Sequence, residues 1–240
     1  MTSTRGGPPA LGVVAEFWLL AHERDRTLLH PKTVGVGLAG VLLAAAILGD
    51  HLRIDGMVLT VGARAAMVPA PRIGGQGTQP TSVGPARPGW VGGDGPLVRW
   101  ACGWVAAETP PYPAGTWVRV LGPELTGRVV AYLVNRGVLH PGGVWRRPRL
   151  AGGAVNTAGW PAARLTQRLE THQPLTAPDV VLLAVAQATG LTGPLLRYAT
   201  PSAHNHLTAA VTDLRDRHPG VGVLVQEVHH AVQTTALTRT

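Results

Sequence analysis

The run Val34 to Leu48 holds no charged or strongly polar side chain. Such a run is either a helix enclosed by the rest of a domain or a segment that meets lipid. Crossing roughly 30 Å of hydrocarbon takes about 20 apolar residues. This run stops short, bounded by Lys32 and Asp50, with Glu16, Glu23, Arg24, Asp25 and Arg26 just upstream. Thr33 offers an N-cap and Gly49 a residue past the C-terminus, the punctuation of a soluble helix. Gly35, Gly37 and Gly40 weaken helix propensity yet let neighbouring backbones approach closely. The pattern predicts a buried central helix.

Around it the apolar spacing predicts further helices. Leu11 to His22 puts Val14, Phe17, Trp18 and Ala21 on one face, and Glu23 to Arg26 turns the chain. Two short apolar runs flank Asp55-Gly56 and predict a β-hairpin. Leu97, Trp100, Ala101, Trp104 and Val105 follow helical spacing, with Asp94 as cap, Cys102 off the stripe, and Thr109-Pro110-Pro111 as the stop. Pro123 opens a helix through Arg136 that Gly137 closes. Val138-Leu139 and Val144-Trp145 flank His140 to Gly143 as a second hairpin or tight loop. Trp160 to Glu170 reads as a basic helix with Leu165 and Leu169 inward and Arg164 and Arg168 outward. Thr176 and Asp179 form a capping-box variant, with Pro178 in the first turn, before a mainly buried helix from Val180 to Thr189 that Gly190 follows. Two amphipathic helices follow, marked by Leu207 to Leu214 and by Val221 to Val232.

These elements define an all-α fold, a mostly helical single domain around a buried central helix with two small β-hairpins. Residues 1–10 read as a disordered N-terminus. The domain occupies 11–240, with a Gly/Pro-rich connector at 62–95.

Composition narrows the partners. The chain has a formal net charge of +8, carried by twenty Arg and a single Lys, and guanidinium groups bind phosphate bidentately. A membrane surface or nucleic acid fits that balance, but no nucleic-acid reading module is evident, so no nucleic acid is expected. One cysteine excludes an intrachain disulfide and a thiolate metal site, and the chain reads as cytoplasmic.

No nucleophile elbow, P-loop or dinucleotide fingerprint occurs, so no enzyme and no cofactor is expected. His204 and His206, with His229 and His230, invite a metal. His at i and i+2 leave a helix on different sides, however, and surface or capping roles are preferred. Arg146, Arg147 and Arg149 beside Trp145 combine phosphate-binding groups with an interface-seeking aromatic. A solvated hairpin face with Trp145 packed on the core reads the same residues equally well.

The ordered motifs Glu16 to His22, Gly37-Leu38-Ala39-Gly40, Leu42 to Ala44, Ile47 to Gly49, Leu52 to Ile54, Leu133 to Leu139 and Pro174 to Thr176 resemble the Golgi phosphoprotein 3 family, in its bacterial branch, over roughly residues 11 to 240. The resemblance implies a helical, non-catalytic, peripheral membrane protein that binds phosphatidylinositol 4-phosphate. In eukaryotic members it implies a pocket built from a Trp, an Arg of a Gly-Leu-Arg-Gly motif, and two later Arg. At or near those places this chain has His30, Ala39, Pro123 and Thr126.

The expected lipid-binding set is therefore His30, Lys32, Arg119, Arg128, Trp145, Arg146 and Arg147. The partner would be an anionic membrane lipid, either phosphatidylinositol 4-phosphate or another acidic phospholipid, on the inner face of the membrane. A protein partner or homo-oligomer is also open. The alternative is a soluble scaffold that keeps the fold without the phosphoinositide site.

Overall fold

A computed structural model describes residues 11–23, 26–64, 94–141, 149–152 and 154–237. Within them the chain folds as α1 (Val13–Leu20), β1 (His22–Glu23), β2 (Arg26–Thr27), α2 (Pro31–Leu48), β3 (Leu52–Asp55), β4 (Val58–Val61), α3 (Gly95–Ala107), α4 (Ala114–Asn135), β5 (Leu139–His140) and β6 (Arg149–Leu150). It continues as α5 (Val155–Glu170), α6 (Ala177–Ala188), the single turn α7 (Thr192–Leu195), α8 (Pro201–Arg217) and α9 (Pro219–Leu237). The fold is mostly α, with strands only in two-stranded antiparallel pairs. Expected residues 1–10 and most of the connector at 62–95 lie outside the described residues.

The core is organised on α2. Every residue from Thr33 to Ala46 is buried, because α1, α4, α6 and α9 pack around the helix. A helix apolar on all sides has to be enclosed in this way. It begins earlier than Thr33: Pro31 takes the first turn, where its missing N–H costs nothing, and the His30 ring accepts from the Lys32 N–H at 3.3 Å. Gly49 ends the helix, its N–H donating to the Ala45 carbonyl.

Three glycines fix the neighbours. A Cβ on Gly40 would meet Val228 of α9, one on Gly115 would meet Glu227, and one on Gly35 would meet the Gly122 backbone. Going from 115 to 122 along α4 therefore means going from the level of 40 back to 35 along α2. The two helices run antiparallel, and α4 extends past the start of α2.

Several sequence expectations shift. The helix expected from Pro123 begins at Ala114 and carries Pro123 inside it, exposed. The proline cannot donate to the Arg119 carbonyl, yet the buried stripe Trp117, Val118, Leu121, Leu125, Val129 and Leu133 continues past it. Burial of that stripe outweighs one lost hydrogen bond.

The first hairpin turns on Gly56-Met57, since Asp55 pairs with Val58 and Gly56 takes a φ of 65°. A second pair joins Leu139–His140 to Arg149–Leu150, with Leu139 opposite Leu150; the return expected at 144–145 lies outside the described residues. A further small hairpin, β1–β2, occupies the charged turn after α1. The basic helix starts at Val155, not Trp160.

On α3 the buried positions are Val98, Ala101, Cys102 and Val105. Cys102 thus lies on the inner stripe, and Trp104 is 44% exposed. Small residues let the helix lie close to the core, and the wide indoles are left at its edges.

Asp94 precedes α3 without capping it. Its carboxylate reaches the start of α1 and accepts from the Val14 N–H at 3.3 Å.

Candidate functional site

The start of α2 is where the sequence-predicted cations are to be sought. His30 and Lys32 stand there, Lys32 exposed and with no acidic residue in the helix's first turn. The helix dipole and the Lys32 ammonium make that end favourable to an anion.

Arg119 is exposed on α4, just under one turn before Gly122, as Lys32 is just under one turn before Gly35. Because the helices are antiparallel, the two cations fall on opposite sides of the crossing, about 9 Å apart along the axes.

Arg128 is held elsewhere. Its guanidinium pairs with Glu124 at 2.7 Å and lies 4.6 Å from the centre of the Trp100 ring on α3. Arg119 and Arg128 are about two and a half turns apart, so they leave α4 on opposite sides. The structure brings His30 and Lys32 together and does not gather Arg119 and Arg128 to them. Trp145, Arg146 and Arg147 lie outside the described residues.

The resemblance-based positions have plain structural roles here. Ala39 is fully buried in the middle of α2. Thr126 donates its hydroxyl to the Gly122 carbonyl at 3.1 Å, one turn back, and Pro123 faces solvent.

Among the described residues, a dense polar network joins α1 to α5 and α6. Arg164 forks onto Glu16 through two hydrogen bonds of 2.9 and 2.8 Å, and donates to Asp179 at 2.9 Å. Arg168 completes the pair on Asp179. Asp179 also closes the capping box, accepting from the Thr176 backbone and hydroxyl at 3.1 and 2.7 Å.

The sequence reading placed Arg164 and Arg168 outward; their side chains are only 18% and 29% exposed. The signal was present in α1. Glu16 is the one charge in the otherwise apolar segment Val13 to Leu20, and a charge there requires a buried partner. Hydrogen bonds to Glu16 raise the Arg164 pKa further above its ordinary value. With two carboxylates facing two guanidinium groups, the network joins α1, α5 and α6.

The histidines serve local contacts. His206 lies against the Leu169 carbonyl, His229 against that of Ala188, and the His172 ring stacks on His206. No group of three or more His, Cys, Asp or Glu is placed to hold a metal among the described residues.

A mostly helical domain closed on a glycine-bearing helix that is buried from Thr33 to Ala46, with small hairpins at its margins, is thereby defined. The Golgi phosphoprotein 3 (GPP34) family model matches residues 13–235, nearly the whole chain, and the protein belongs to that family. No match is found among curated proteins.

Proposed function

We propose that the protein is a non-catalytic peripheral membrane protein that docks on anionic lipid from the cytoplasmic side. The observation carrying this reading is the open, basic start of α2. Lys32 and the helix's own N-terminal dipole face outward with no acidic residue in the first turn, in a family member whose net charge is +8. Each basic residue near an anionic surface contributes about 1 kcal/mol, so a few suffice for weak, salt-sensitive binding.

A deep phosphatidylinositol 4-phosphate pocket is less well supported, because the buried methyl of Ala39 and the ring of Pro123 supply no donor where relatives are expected to have arginine. The preferred ligand class is an acidic phospholipid surface in general. The second reading, a soluble scaffold, draws on the Arg128–Glu124 pair, which already satisfies one of the expected cations.

Vesicle sedimentation separates the two. Partition onto phosphatidylglycerol vesicles should weaken as salt rises and fall on Glu substitution at Lys32, Arg146 and Arg147. Absence of partition at low salt would favour the scaffold. A series including phosphatidylinositol 4-phosphate should show no preference beyond charge.

A further inference from the structure

We infer that Asp94 is an acid-strengthened clasp between the first turn of α1 and the start of α3. Protonated, it holds the opening turn of α1; ionised, it lets that turn open more readily. The clasp does not depend on the membrane reading.

Helix α1 has no cap of its own. Its N-cap is Gly12, with no side chain to turn back on the first turn, and the unpaired N–H groups there need an acceptor. Asp94 supplies one from 80 residues away, its Oδ2 accepting from the Val14 N–H at 3.3 Å. The seat is shaped for the carboxyl, because a Cβ on Gly12 would collide with it. Asp94 is 1% exposed, yet its Oδ1 makes no hydrogen bond among the described residues. A protonated carboxyl accepts from Val14 without carrying charge. An ionised one leaves a buried charge with an oxygen unsatisfied.

Among the described residues no cation pairs with that charge. Glu16 faces Asp94 from α1 and is itself turned to Arg164 of α5. Arg99, the one charge on α3, is exposed. Helix α3 packs on α2 and β4; α2 has no ionisable side chain after Lys32, and β4 has none. Burial accordingly outweighs the N–H bonds and pushes the carboxyl from 3.8 up to about 6. Local opening hydrates the group and returns it toward its ordinary value, so opening releases a proton. Its equilibrium constant therefore rises with pH, by about tenfold between pH 5 and 7.5.

Amide hydrogen exchange of the intact chain, corrected for intrinsic rates, reads this opening. Val14 should be less protected than the core amides of α6 at every pH, and its protection should fall about tenfold from pH 5 to 7.5. Asp94→Asn should abolish the fall. Gly12→Ala, which crowds the carboxyl out, should lower Val14 protection at pH 5 as well, with circular dichroism unaltered.

An equal fall in Asp94→Asn overturns the clasp, and so does a wild-type Val14 whose protection is independent of pH. A Val14 amide that exchanges only together with the α6 amides also overturns it, because the carboxyl would then act on global unfolding alone. That comparison is made within the wild-type chain and needs no variant to fold.

Discussion

Gly35 of α2 and Gly122 of α4 meet backbone to backbone: a Cβ on Gly35 would stand 2.9 Å from the Gly122 carbonyl oxygen, and one on Gly122 would stand 2.8 Å from the Gly35 carbonyl carbon. No rotamer change relieves such a contact, since what must move is a helix. Gly35→Ala and Gly122→Ala should each destabilise the fold by about 1–3 kcal/mol through overpacking. Gly127→Ala, on the same helix with open space around it, should stabilise by about 0.5–1 kcal/mol by restricting the unfolded chain. Urea denaturation of the three variants checks this; equal effects would show that helix propensity, not the crossing, governs these positions.

The Glu16–Arg164–Asp179–Arg168 network makes a second prediction. Asp179 is 2% exposed at its side chain and Glu16 12%, so Arg164→Met strands the Glu16 carboxylate in a poorly hydrated place and leaves Asp179 with Arg168 as its one cation. The expected cost is about 3–5 kcal/mol. Arg168→Met, at a more exposed position with Arg164 still in place, should cost distinctly less. Replacing Glu16 by Gln in the Arg164→Met background should recover part of the loss, because the stranded charge is then gone. A double-mutant cycle in denaturant measures all three; additive effects would mean that the groups do not share a network.

How far the sequence could be read follows from which forces each element depends on. The buried nature of α2 was legible because an apolar run between charges admits few solutions, and the Thr176–Asp179 cap was legible because capping is local. The rotation of α3 was not. Trp100 with Trp104 and Val98 with Cys102 are both helical stripes, and the choice between them depends on how closely the core surface admits an indole. The extent of α4 was also hidden, since Pro123 is a strong local signal that tertiary burial overrides. Arg164 and Arg168 looked like a solvated face because their partners come from α1 and α6, distant in sequence. For the candidate site, the cations were visible one by one, whereas their dispersal around α4 depended on the antiparallel crossing.

Asp94 gives a pH dependence whose sign can be worked out. Burial, opposed by hydrogen bonds from the Val14 and Val13 N–H groups and reinforced by Glu16, pushes its carboxyl up to about 6. The unfolded carboxyl titrates near its ordinary value, so between about pH 4 and 6 the native state binds more protons than the unfolded chain. Stability contributed by this group is therefore highest below that window and falls as pH rises through it. Asp94→Asn keeps an acceptor for Val14 without the charge. It should raise stability at pH 7.5, match the wild type near pH 4, and flatten the slope between, as read by thermal unfolding across pH. An unchanged slope would mean that another group is responsible.

Cys102 provides the most direct test of how α3 is seated. Burial pushes its thiol up to about 11, and it lies on the inner stripe beside Val98 and Val105. At pH 8 only about one native molecule in a thousand would carry the reactive thiolate, and that sulfur is shielded from reagent as well. Labelling by an aromatic disulfide should therefore be slow in the native protein and immediate in denaturant, where the thiol returns to its ordinary value. If native labelling proceeds through opening of α3, its rate should be insensitive to reagent concentration once the reagent outpaces reclosing, and any substitution that loosens the inner stripe, such as Val98→Ala, should accelerate it. Labelling at the rate of a free thiol in the native state would show that α3 does not hold Cys102 against the core. The outward display of Trp104 would then need a different explanation.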